Sequence, residues 1–204
     1  MDPKTDPRNI FSAMHHRVTG ELLHLMDGFY SNIEEGLFEL AFRNEDVDQQ
    51  RRCFDLMREL RYRRSNLIQT FAKRMQKGMD GWFNDSFEND QDEGAEFEQL
   101  ATQMAEKCSA HFGILLQNIA ERAAYGTCRD VDGFSLPISP FQIAYSFIIS
   151  CRSLEFDSHA IEIVQELFRR FVLDRLGAVY AECNQRLEEA GYFTVSELDF
   201  ASSA

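Results

Sequence analysis

The chain has little that turns. Four prolines and eleven glycines are spread over 204 residues, too few for a protein built from many short strands. No useful stretch alternates apolar and polar residues with a period of two, so half-buried strands have no support. No apolar run approaches the ~20 residues needed to cross a bilayer, and no membrane insertion is expected. The polar start, MDPKTDPRN, carries no apolar signal region. Cys53, Cys108, Cys128, Cys151 and Cys183 form an odd set without a C-x-x-C pair. This argues against a disulfide framework or a zinc site and for reduced thiols. With these absences, a cytoplasmic location is the expectation. Positive charge is also scarce: 21 Lys and Arg face 34 Asp and Glu, for a net charge of −13. Nucleic acid is not an expected partner, because phosphate binding needs a positive surface.

Catalytic signatures are missing too. There is no Gly-x-Ser-x-Gly elbow, no Walker loop and no Gly-x-Gly-x-x-Gly turn. Glu21-x-x-His24 has the spacing of a di-iron ligand pair, but that chemistry needs a second pair and further glutamates, and no second Glu-x-x-His occurs. Asp130-x-Asp132-Gly133 lacks the later ligands of a calcium loop and reads as an ordinary turn. No catalytic residue, metal or cofactor is expected.

What the chain does have is long helical periodicity. Asp6-Pro7 is a helix start, with Asp as cap and Pro at the first helical position. Phe11, Met14, Val18, Leu22, Met26, Phe29, Ile33, Leu37 and Leu40 then follow in steps of three and four, one helical face running to about residue 43. Gly20, Gly28 and Gly36 lie inside it and mark bends or close packing. Asp46 with Gln49 resembles a capping box. It opens a second long helix with Phe54, Met57, Leu60, Leu67, Phe71, Met75, Met79 and Trp82 on its apolar side. A short link between two long amphipathic helices makes an antiparallel hairpin.

Seven acids then crowd residues 84–98, and the segment 84–96 reads as a mobile acidic loop. A third helix is expected over about 97–125. Ser139-Pro140-Phe141-Gln142 starts a short fourth one. The last runs from residue 157 or 158 past Leu187, with Gly191 as its closing glycine. The expected architecture is all-α: an elongated bundle of four to five helices built on the long hairpin. Residues 1–193 form one domain and 194–204 a flexible C-terminal tail.

Charge is most uneven on the second helix, which holds nine of the 21 Lys and Arg residues between Arg51 and Lys77. Arg61-Tyr62-Arg63-Arg64 is the densest point. Guanidinium groups at this spacing suit bidentate recognition of carboxylate or phosphate; a solvated face balanced by neighbouring acids is the simpler alternative. Arg58, Arg61, Tyr62, Arg63 and Arg64 are the candidate partner-binding residues.

Several runs, in order, are similar to a known family: Gly36-Leu-Phe-Glu-Leu-Ala; Phe54-Asp-Leu-Met-Arg-Glu-Leu-Arg with Arg63-Arg64; Leu136-Pro-Ile-Ser-Pro140-Phe; and Leu167-Phe-x-x-Phe-Val-Leu-x-x-Leu-Gly-x-Val-Tyr-x-x-x-Asn184. Over about residues 10–193 the chain resembles the N-terminal part of a large bacterial family of unknown function whose members are often labelled thymidine phosphorylase. The resemblance implies a short member or an excised N-terminal domain, and a context of cyclic-dinucleotide signalling. It carries over no catalytic residue. The leading expectation is a non-enzymatic regulatory or scaffolding domain that binds protein. Apolar surface left over on the long helices would be buried against a partner or, as a homodimer, a second copy. The alternatives are a receptor for a cyclic dinucleotide or other small ligand, and an enzyme such as the labelled phosphorylase.

Overall fold

A computed structural model describes residues 7–84, 94–128, 130–133, 135–154 and 158–202. Its α-helices are α1 (Pro7–Arg43), α2 (Val47–Asn84), α3 (Ala95–His111), α4 (Gly113–Thr127), α5 (Pro140–Cys151), α6 (Ser158–Phe171), α7 (Leu176–Glu189) and α8 (Val195–Ser202). One 3₁₀ turn, Leu173–Arg175, joins α6 to α7. There is no strand among the described residues. The acidic segment expected as a loop falls mostly on residues 85–93, which lie outside the described residues.

The two long helices are as the periodicity requires. At 1.5 Å per residue the 37 residues of α1 extend about 55 Å. Phe11 to Leu37 of its apolar series are all buried. Their steps of three and four keep them on the one face that meets α2. Gly36 serves close packing: a Cβ there would lie 3.0 Å from Leu167 and 3.2 Å from Ile163, so α6 sits directly on the α1 backbone. The expected capping box does not form. The Asp46 carboxylate accepts from the backbone N–H of Asp48, while its own N–H goes to the Asn44 side chain and Gln49 also turns to Asn44.

The core is sealed by phenylalanine. Phe147 of α5 stacks on Phe168 of α6 at 4.0 Å, and both meet Phe29 of α1 edge-on at 5.2 and 5.7 Å. Edge-to-face and offset aromatic pairs of this kind add to their burial energy. Three helices are thereby pinned at one point. α3 lies along α5, α5 on α2, α6 on α1, and α4 on α7.

Two expected helices are each broken. Between α3 and α4 the ladder continues through Phe112, whose N–H reaches the Cys108 carbonyl and whose carbonyl accepts from Leu116. The chain bends there because the Phe112 ring packs over Gly177 and against Tyr180 at 5.7 Å. Between α6 and α7, Val172 leaves helical geometry at φ −117° and the 3₁₀ turn follows. The Leu173 carbonyl of this turn accepts both the Leu176 N–H and, at 3.2 Å, the buried Cys108 thiol. The bends let α3 and α6 follow one set of neighbours and α4 and α7 another.

Two start and stop signals act as written. The Ser139 hydroxyl accepts from the Gln142 N–H, capping α5. Gly191, at φ +84°, closes α7: its N–H reaches Glu188 and that of Tyr192 reaches Leu187. The segment expected as a loose tail holds α8 instead. Thr194 and Glu197 supply a capping contact, since the Glu197 carboxylate accepts from the Thr194 N–H at 2.9 Å.

Candidate functional site

The candidate site is the outer face of the α1/α2 hairpin. Antiparallel packing sets Asp27 opposite Arg64, Glu34 opposite Arg61, and Phe38 opposite Phe54, whose rings meet edge-on at 6.2 Å. Near the hairpin tip large apolar side chains stand in solvent: Phe42 is 83% exposed, Val47 72%, Phe38 51% and Phe54 46%. Tyr62, two turns further down α2, is 87% exposed. Aromatic and arginine side chains together on a protruding face are the composition of binding hot spots.

Three of these residues escaped the sequence reading, and one was misplaced. Phe54 was expected in the core. The buried series of α2 runs instead through Cys53, Leu56, Leu60, Leu67 and Phe71, which turns Phe54 about 100° away from Cys53. Phe38 and Phe42 carried a signal of their own: Leu37 fixes the inward face of α1, and apolar residues off that stripe must face elsewhere.

The five expected site residues separate into two groups. Arg63 donates to Ser153 and pairs with Glu59 at 2.7 Å. Arg64 pairs with Asp27 at 2.8 Å and lies over the Tyr30 ring at 5.7 Å. Both are half-buried and tie α2 to its neighbours. Arg58, Arg61 and Tyr62 face solvent. Arg58 pairs with Asp55, a carboxylate it shares with Arg51 at 4.0 Å. Arg61 grips both oxygens of Glu34, and this guanidinium holds the Glu34 carboxyl below its usual range. Between residues 51 and 64 α2 carries six arginines and two acids, Asp55 and Glu59; Glu34 and Asp27 of α1 take up Arg61 and Arg64, and Arg51 and Arg58 are left to share Asp55.

Chemistry elsewhere is sparse. Among the described residues no group of three His, Cys, Asp or Glu could hold a metal ion. Glu21 pairs with Arg17 at 3.1 Å rather than with His24. His15 is buried, with its Nε2 unpartnered, and burial lowers its pKa to about 4. The buried thiols of Cys108, Cys151 and Cys183 are pushed up to about 12, chiefly by desolvation, the reverse of an activated nucleophile. A cavity of about 240 Å³ lies between α3, α5 and α6, walled by Leu100, Met104, Phe147, Ile148 and Val164, with Arg152 as the one arginine of its lining. Such walls do not supply the paired guanidinium groups that grip a cyclic dinucleotide.

The model of the family "Protein of unknown function (DUF1631) N-terminal domain" matches residues 6–191. The chain belongs to this family. No curated protein and no solved structure matches it. The family description assigns no activity, so chemistry in this DUF1631 N-terminal domain has to be argued from its own surface. Among the described residues no helix is long and apolar enough to cross a membrane.

Proposed function

We propose that this DUF1631 N-terminal domain is a protein-recognition module, regulatory or scaffolding rather than catalytic, and that it works through the outer face of the α1/α2 hairpin. The observation that carries this reading is the exposed aromatic cluster of Phe38, Phe42 and Phe54 beside Arg51, Arg58 and Arg61. Most other large apolar side chains join one continuous core; Ile114, Tyr125, Phe193, Val195 and Leu198 are exposed elsewhere, without an arginine cluster beside them. Isolated exposed apolar residues need no explanation, but a contiguous patch rimmed by charge on a protruding element does.

The test is affinity capture with the wild-type domain, a Phe42→Gln/Phe54→Gln variant and an Arg58→Glu/Arg61→Glu variant, all with matching helicity and unfolding midpoints. Proteins retained by the wild type, rebound after purification and lost by both variants agree with this reading. Identical capture by all three contradicts it.

A further inference from the structure

Six of the nine charged residues between 45 and 61 make a charge palindrome on the exposed side of α2, while Asp46, Arg52 and Glu59 have no mirrored charge. Val47, Arg51, Phe54, Asp55, Arg58 and Tyr62 fall on one side of the helix at 100° per residue, and all but Asp55 in steps of three and four. About the level of residue 53, acid and base exchange places at equal distances: Asp48 answers Arg58, Arg51 answers Asp55, and in the connection before α2 Glu45 answers Arg61. All six side chains are exposed. Phe38, Phe42 and Phe54 lie within the same band.

We infer that this face pairs with a second copy of itself. The two α2 helices run antiparallel across a two-fold axis at the level of residue 53. The inference rests on the hairpin face being an interaction surface and names its occupant. A two-fold contact requires self-complementarity, residue i meeting j and j meeting i. Here that requirement is met by sign: each Asp48 faces the other copy's Arg58, and each Asp55 the other copy's Arg51. Within one chain Arg51 and Arg58 share the single carboxylate of Asp55, so the facing Asp48 supplies the acid that is short. The aromatic band meets its own copy at the centre, where exposed Phe42 loses most water. The helical part of the paired stretch, residues 47 to 61, is about 21 Å long. Two helices wide, it buries about 1,000 Å² in total, the size of a reversible dimer.

Residues 48 and 58 are about 15 Å apart along α2, too far for direct contact within one chain, so any coupling between them is carried by the dimer. Sedimentation equilibrium of the 204-residue chain from low to high micromolar concentration reads it out, with Asp48→Arg, Arg58→Asp and the double variant alongside. The wild type is expected to dimerise, each single reversal to weaken dimerisation about tenfold or more by placing like charges together twice, and the double reversal to regain most of it. A double variant no better than the two singles combined overturns the pairing, and so does a wild type that stays monomeric. If the monomeric chain still loses a captured protein on Phe42→Gln/Phe54→Gln substitution, self-pairing falls and the interaction face stands. If neither changes anything, both fall.

Discussion

Arg122 and Arg61 each hold a glutamate, yet they belong to opposite kinds of site. Arg122 sits inside α4 at 3% exposure; it donates to the Tyr192 carbonyl at 2.6 Å and to Glu197 at 2.7 Å. It clamps α8 onto α4, beside a Gly126 whose backbone lies against the Tyr192 ring. Arg61 grips Glu34 as tidily but in open water. A desolvated charge has no solvent to fall back on, whereas an exposed pair is worth little because water replaces it. Arg122 is therefore tied up in stability. The arginines of the hairpin face can exchange their carboxylates for a partner's at small cost.

Substitutions should separate the two. Arg122→Ala is expected to cost about 3 kcal/mol in urea denaturation, since it strands the Tyr192 carbonyl and frees α8. Amide exchange over residues 192–202 should rise with it; unchanged exchange there would remove the clamp. His15 belongs with the buried group. Its folded pKa of about 4 lies below the ordinary 6.5, so the unfolded chain binds more protons in that window. Stability should be full above pH 6.5 and fall by up to about 3 kcal/mol as the pH drops towards 4. His15→Leu should flatten that slope; an unchanged slope would assign it to other groups. On the exposed side, Arg61→Ala should leave the urea midpoint close to the wild type, because water replaces an exposed pair. Phe42→Gln should change stability by no more than about 0.5 kcal/mol. A large loss from either would make the hairpin face part of the folding core and erase the contrast.

The same division explains what the sequence could show. The eight apolar residues from Phe11 to Leu37 repeat at three and four, and a pattern that long has one structural solution. Ser139-Pro140 and Gly191 acted as local signals do. The bends at Phe112 and Val172 left no local mark, because they answer to rings and helices far along the chain, Tyr180 and Gly177 for the first. Arg122 was silent for the same reason: its partner Glu197 is 75 residues away. Thr194-x-x-Glu197 was a readable cap at the head of α8. The arginine cluster was plain in composition, and Glu59 at i,i+4 to Arg63 was readable too, but Asp27 across the hairpin and Ser153 after α5 were placed only by the packed fold.

On the proposed function, binding and stability are carried by different parts of one chain. Measuring both on the Phe42→Gln/Phe54→Gln variant, capture of partner protein and the urea midpoint side by side, tests this most directly. The predicted result is lost capture, including capture of its own copy, with a midpoint close to the wild type. Undiminished capture, or capture lost only together with the fold, would contradict it.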